Sequence, residues 1–207
     1  MKKPGARSSE AAEVLEYWLQ DALILGWPSR PLTDVWWGGG AERDDAIEVS
    51  FGYLVREAIA GGLNDWETHP LDRLALVLLL DQFTRNIFRG QSKAFAGDAR
   101  AQALVTSALT LGWDDTLALA GRAFFYMPLT HSENMTLQDE GVHCFELLLQ
   151  GAHASRSKDI QSFLTSAKQH RDIISTFGRF PHRNAALGRI DAANEQDYLL
   201  RGPRFGQ

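Results

Sequence analysis

Leu71-Asp72-Arg73-Leu74-Ala75-Leu76-Val77-Leu78-Leu79-Leu80-Asp81-Gln82-Phe83-Thr84-Arg85-Asn86-Ile87-Phe88 is the stretch that decides the fold. Its first half is apolar nearly all round, so a helix here needs protein on several sides rather than one. Gly90 follows as a stop signal. The uninterrupted apolar run, Leu74 to Leu80, is far shorter than the roughly 20 residues a membrane span needs. The stretch therefore reads as the central helix of a packed helical fold, with no membrane as partner.

Helical periodicity continues on both sides of it. Val14, Leu15, Trp18 and Leu19 recur at helix spacing after Ser8-Ser9. Ile47, Phe51, Leu54, Val55, Ala58 and Ile59 form a second stripe, stopped by Gly61-Gly62. Asp98 reads as the N-cap of a fourth helix that carries Ala101, Leu104, Val105 and Ala108 and ends at Gly112. A fifth is predicted from about Asp115 to Met127, with Pro128 as its stop. Thr136 and Asp139 resemble a capping box for a sixth, which presents Val142, Phe145, Leu148 and Leu149. The seventh runs from about Lys158 to Phe177 and is closed by Gly178, and Asn194 with Asp197 marks a short last helix.

No segment alternates with the two-residue period of a strand. The expectation is an all-α protein: one domain over 1–207, about eight helices, packed as an antiparallel bundle or a stack of helical hairpins. Residues 1–9 read as a flexible tail. The stretch from Gly26 to Arg43, with Pro28, Pro31 and Gly38-Gly39-Gly40, is the most irregular; it reads as an ordered loop or a lid.

With 207 residues, 44% hydrophobic and 23% charged, the chain has the make-up of an ordinary soluble globule. Net charge is −5, which argues against the broad basic surface a nucleic-acid partner demands. Cys144 stands alone, so no intrachain disulfide is available. The basic N-terminus lacks a following apolar segment and is not a secretory signal. A cytoplasmic location is the expectation.

Four polar islands interrupt this apolar pattern. At the end of the central helix, Asp81, Arg85 and Arg89 follow each other at four-residue steps, with Gln82 and Asn86 on the neighbouring stripe. Arg89 fits a solvated last turn, where cations favour the helix dipole. Asp81 follows Leu78-Leu79-Leu80 directly, so it reads as partly buried, with Arg85 as its partner. The second island, His131-Ser132-Glu133-Asn134, caps the next helix or forms a His–carboxylate pair. In an extended segment His131 and Glu133 face the same side. The third, His170, falls near the apolar face of its helix, where a histidine usually bonds a backbone carbonyl. The fourth, Phe177-Gly178-Arg179-Phe180-Pro181-His182-Arg183-Asn184, is stiff, aromatic and cationic. It is a platform for an anion, or a rigid corner whose Arg and Asn side chains tie helix ends.

Each island lies at or near a helix end, so a bundle can gather them. Arginine forks suit carboxylate or phosphate because they grip two oxygens at once. One reading is therefore a small-ligand protein, an enzyme in its sharpest form. Arg85, Arg89, Arg179 and Arg183 would bind an anionic molecule, with Asp81, Gln82, Asn86, His170 and Asn184 around it. His131, His182 or His170 would move a proton, oriented by Glu133 or Asp81. The rival readings are a scaffold for a peptide or protein partner, and a purely structural network. No metal is expected: His131, Glu133, His170 and His182 lack the helix-face spacing of a zinc protease. No cofactor is expected, since there is no phosphate-binding glycine loop or dinucleotide fingerprint. Cys144 lies in an apolar helix and reads as a buried thiol. Trp36-Trp37 reads as a plug over the core or a stacking surface. Nothing in the sequence reports the oligomeric state.

Asp81-Gln82-Phe83-x-Arg85-Asn86-x-Phe88-Arg89-Gly90, Leu129-x-His131-Ser132-Glu133 and the Phe177 to Asn184 segment, in this order, resemble the motifs of the bacterial family catalogued as domain of unknown function 924. The likeness covers about Ala11 to Leu200. It implies an all-helical fold similar to tetratricopeptide-repeat proteins. The family brings no established activity, so the resemblance implies no catalytic roles. Thr84 stands where the family pattern has Pro, which implies a straighter helix around Arg85.

Overall fold

A computed structural model of the chain describes residues 8–38 and 40–205. Every regular element among them is helical, and no strand occurs. Eight segments form the frame: α1 (Ser9–Leu19), α2 (Ala41–Ile59), α3 (70–87), α4 (Asp98–Thr110), α5 (Leu119–Thr130), α6 (Met135–Gly151), α7 (Ser157–Phe177) and α8 (Gln196–Arg201). Single α-helical turns at Ala22–Leu25, Thr33–Trp36 and Asn184–Leu187 complete them. No helix among the described residues is long and apolar enough to cross a membrane.

The core follows from α3. Leu74 through Leu80 are all fully buried, as a run that is apolar all round requires. Pro70 opens the helix at a position where its missing N–H costs nothing. On one side α1 packs against the first half of α3, and α2 packs against its second half. On the other side α5, α6 and α7 follow as two helical hairpins. A smaller apolar cluster of Ile173, Ile174 and Phe180 lies at the C-terminal end, joined by Phe177, Tyr198 and Phe205.

Several expected boundaries are corrected. Residues 1–7 of the expected tail lie outside the described residues, but Ser8 and Ser9 are anchored. Ser8 is buried and its N–H donates to Asp72 at 3.3 Å, and Ser9 opens α1. Pro128 does not stop α5. It sits inside the last turn, where only one backbone bond is lost, and the helix continues to Thr130. The cap of α6 is Asn134 rather than Thr136, because its side chain accepts from the N–H groups of Thr136 and Leu137 at 2.9 and 3.3 Å. Asp98 is the first residue of α4, not its cap; Gly97 precedes it.

The helix α3 is not regular either. Pro70–Leu78 and Thr84–Ile87 are α-helical, but Leu79–Phe83 forms a π-helical turn between them. Such turns insert an extra residue and re-aim side chains. The segment around Arg85 is thus set by this π turn, with Thr84 opening the α-helical turn after it. The Thr84 hydroxyl donates to the Leu80 carbonyl at 2.8 Å, occupying an acceptor within the irregular ladder. Gly97 packs against that same carbonyl. A Cβ on Gly97 would lie 2.2 Å from the Leu80 oxygen, so only glycine lets α4 start this close to α3.

Candidate functional site

The π turn carries Asp81 into the protein interior, where it is fully buried. One of its oxygens accepts from His131 Nδ1 at 2.7 Å and lies 3.2 Å from Arg85. The other accepts from the Gln82 side chain. Burial opposes the charge of Asp81, but Arg85 and His131 outweigh it and hold the carboxyl well below the usual carboxylate range. An ionised Asp81 fixes the His131 tautomer: Nδ1 carries the proton and Nε2 keeps its lone pair. Burial holds the His131 pKa below the ordinary value, with Asp81 opposing and Arg85 adding to the effect. His131 is thus a neutral imidazole, oriented by a carboxylate, whose Nε2 makes no hydrogen bond among the described residues.

Behind this pair lies a stack of charges. Arg85 donates to both oxygens of Asp98, at 2.9 and 3.0 Å, and to the Asp81 carbonyl at 2.7 Å. Arg183 reaches the same Asp98 at 3.3 Å and the His131 carbonyl at 3.0 Å. Its guanidinium is sandwiched between the rings of Phe95 and Phe180, 4.6 and 4.4 Å from their centroids. Burial and the charge of Arg85 push Arg183 down to about 10. The end of the central helix, the His131 loop and the 177–184 segment therefore do meet, as expected of a bundle.

They do not meet as four open arginine forks, and that expectation is corrected. Arg85 is held by Asp98, and Arg89 grips Asp44 at 2.8 and 3.0 Å, with Asn86 donating to the same carboxylate. Arg179 grips Glu195 at 2.6 and 2.9 Å, and Asn184 donates to Glu195 as well. The forks hold carboxylates of the chain itself. Glu133 is not the orienting partner of His131 either. His131 has helical backbone angles at the end of α5, so the two side chains diverge. Glu133 instead accepts from the Phe180 N–H at 2.9 Å and from Arg189 at 2.8 Å through each oxygen. His182 faces away, with its Nδ1 3.0 Å from the Tyr198 hydroxyl. Because that hydroxyl donates to the Pro203 carbonyl, His182 is the donor.

A cavity of about 850 Å³ opens in front of the Asp81–His131 pair. Of the residues singled out from the sequence, Gln82, Arg85, Asn86, Arg89, His131 and His170 line it. Asp81 and Arg183 stand behind the wall, and Glu133, Arg179, His182 and Asn184 do not reach it. His170 Nδ1 donates to the Ser166 carbonyl at 2.7 Å, the expected core arrangement, and burial pushes its pKa down to about 3. Its ring centroid is 5.7 Å from that of His131 and 4.0 Å from that of Phe205. The opposite wall is aromatic, built by Trp27, Trp36, Trp37 and Phe163. The irregular 26–43 segment supplies three of these. Trp36 is anchored by its indole N–H to the Trp18 carbonyl at 2.8 Å, whereas Trp37 is 53% exposed. Among the described residues no three His, Cys, Asp or Glu side chains are grouped to hold a metal ion. The Cys144 thiol is buried in α6 and pushed up to about 12, too high for a nucleophile.

The model of a family described as bacterial protein of unknown function (DUF924) matches residues 14–203. The chain belongs to this family. A solved structure of a protein of unknown function from Agrobacterium tumefaciens, ATU0120, is 32% identical over 91% of this chain and 96% of that one, with a TM-score of 0.75. No curated protein matches the chain. The three stretches that resemble the family's motifs all contribute to the junction just described.

What sequence reasoning missed in this DUF924 chain is the acids. Asp44, Asp98 and Glu195 occupy the arginines, yet each lies near a helix start, where an acid reads as a dipole partner. Gly97-Asp98 carried a usable signal: a glycine directly before an acid that needs no cap suggests a close approach.

Proposed function

We propose that this protein binds a small organic molecule in the 850 Å³ cavity and that Asp81–His131 acts there as a proton acceptor. The 2.7 Å contact between Asp81 and His131 Nδ1 carries the reading. A carboxylate that fixes the tautomer leaves Nε2 as the basic nitrogen, and the lowered pKa keeps it unprotonated at neutral pH. The step it serves is removal of a proton from the ligand or from a water held beside it. No side chain hydrogen-bonded to His131 supports covalent catalysis: Ser132 donates to Gln102 instead, at 3.2 Å. The cavity is within the size range of small-molecule sites, which runs to about 1,000 Å³. The paired arginines support a structural role for the outer islands, where Arg179, Asn184, Glu195, Glu133 and Arg189 tie the C-terminal segment down.

Reaction with diethyl pyrocarbonate, mapped by mass spectrometry, tests the base without knowledge of a substrate. His131 is expected to be acylated at neutral pH, and Asp81→Asn, with a folded state verified by circular dichroism, to slow that site while leaving exposed His143 unchanged. An unreactive His131, or an unchanged rate in the folded variant, would sink the reading. Any turnover later found should drop about a hundredfold or more in His131→Gln.

A further inference from the structure

The two ends of the cavity differ in kind. Towards Asp81 it offers neutral hydrogen-bonding groups: Gln82, His131 and His170. Towards the 26–43 segment it offers ring faces. Trp37 and Phe163 have centroids 5.6 Å apart, Trp27 and Phe163 6.4 Å, and Trp36 and Phe124 4.8 Å. These spacings are those of mutually packed aromatics. Trp37 is the odd member, since it belongs to the cluster and lines the cavity, yet leaves half its surface uncovered.

Charge is also divided. Arg85 and Arg89 present to the cavity guanidinium groups already bound to Asp98 and Asp44. At the aromatic end Arg156 lies 6.0 Å over Trp27 and 3.6 Å from Asp159, a loose and half-exposed pair. Arg30, on the same wall, makes no hydrogen bond or ion pair among the described residues; Asp21 feels its charge at longer range. The cation that remains available therefore belongs to the same 26–43 segment as Trp27, Trp36 and Trp37, not to the motifs around His131.

Building on the small-molecule reading above, we infer that the ligand is an aromatic or conjugated ring system bearing an anionic group. The ring lies against Trp37 and Phe163. The carboxylate, sulfonate or phosphate meets Arg30, and the atom to be deprotonated projects towards His131. The arginines predicted to grip the anion are thus replaced in that role by one the sequence motifs do not contain.

Calorimetric titration of the intact protein with 2-naphthoate, 2-naphthylmethanol and hexanoate separates the contributions. The naphthoate should bind about threefold or more tightly than the alcohol, the gain of an exposed charge contact, and about tenfold or more tightly than hexanoate, the gain of ring stacking. Arg30→Ala should erase the gap between acid and alcohol, and Trp37→Ala should weaken both ring-bearing probes. Arg30 is exposed, so its variant leaves the fold intact; Trp37→Ala removes a ring packed on Phe124 and Phe163, and its folded state is verified by circular dichroism. Equal binding of acid and alcohol, equal binding of hexanoate and naphthoate, a gap that survives Arg30→Ala, or no binding at all would each overturn the inference. Acylation of His131 is read independently, so a failed ligand class leaves the proton-acceptor reading standing, and a failed base leaves the ring and anion contacts of this one while removing its deprotonation step.

Discussion

Asp98→Asn is the sharpest test of how the junction is held. The Asp98 side chain is largely enclosed and serves two cations, Arg85 through both oxygens and Arg183 through one. Replacing the carboxylate by an amide keeps the shape and removes the charge. Arg85 and Arg183 then face each other with Asp81 as the remaining buried counter-charge. Removing one partner of a buried ion pair costs about 3–5 kcal/mol, and two cations depend on this one. Arg183, already lowered to about 10 by burial and by Arg85, would fall further, because Asp98 is among the groups that raise it. A loss of this size is a large share of the roughly 5–15 kcal/mol that holds a typical fold together. Urea denaturation at pH 7 reads it as a lower midpoint at constant slope. Adding Arg183→Met should recover part of the loss, since the second stranded cation disappears with it. The double variant should be at least about 1 kcal/mol better than the sum of the single changes. A loss below about 1 kcal/mol at unchanged slope, or strict additivity of the two substitutions, would refute the picture of one carboxylate holding two buried cations.

Two further outcomes follow from the same region. The folded-state pKa of His170 is about 3 against an ordinary 6.5, so between those values the unfolded chain binds more protons. Stability is therefore full above pH 6.5 and falls as pH drops. His170 alone should cost about 2 kcal/mol by pH 5, seen in urea midpoints, and His170→Gln should reduce that slope, leaving the share of His182, which burial also pushes down to about 3; a pH-independent wild type would contradict it. Gly97→Ala forces a Cβ to within 2.2 Å of the Leu80 oxygen, an overpacking expected to cost about 1–3 kcal/mol or more. Gly40→Ala, with nothing within 4 Å of the added atom, should stay within about 0.5 kcal/mol of wild type. Equal melts for the two would remove the close approach of α4 to α3 from the argument.

The helical frame was legible because apolar spacing is local. The all-round apolar character of Leu74 to Leu80 placed α3 at the centre, and the stripes of α1, α2 and α7 fell where the spacing put them. Boundaries failed where a neighbouring residue had a better partner. Asp98 is drawn away from capping by two guanidinium groups, one of them 85 positions distant in sequence, and no local rule encodes that pairing. Asn134 outcompetes Thr136 as a cap because it lies one residue before the helix and its carbonyl reaches two N–H groups. The candidate site divided in the same way. His131, Asp81 and Arg85 were readable because buried polar groups stand out against an apolar run. The cavity wall was readable only at Trp36-Trp37, which stand out as a plug or a stacking surface. Phe163 is at once a stripe residue of α7 and a lining residue, and Arg30 belongs to a loop without periodicity.

A network that only pins helix ends and a site that does chemistry make different demands on the same side chains, and the two histidines separate them. A pinning group uses its polar atoms on the protein: Glu195 accepts from Arg179, Asn184 and the Ala192 N–H, and its carboxyl is held down at about 2 chiefly by the Arg179 contact. His131 and His170 each commit one nitrogen, to Asp81 and to the Ser166 carbonyl, and both line the cavity. Keeping both imidazoles neutral in a buried setting weakens the fold under acid, as the His170 prediction states, with no compensating contact from the second nitrogen. A leucine at either position would pack without that liability. On the proposed reading, the charge stack of Asp98, Arg85 and Arg183 serves the site as well as the helix ends. Arg85 holds Asp81 ionised, ionised Asp81 fixes the His131 tautomer, and the tautomer leaves the Nε2 lone pair for the cavity that His131 lines.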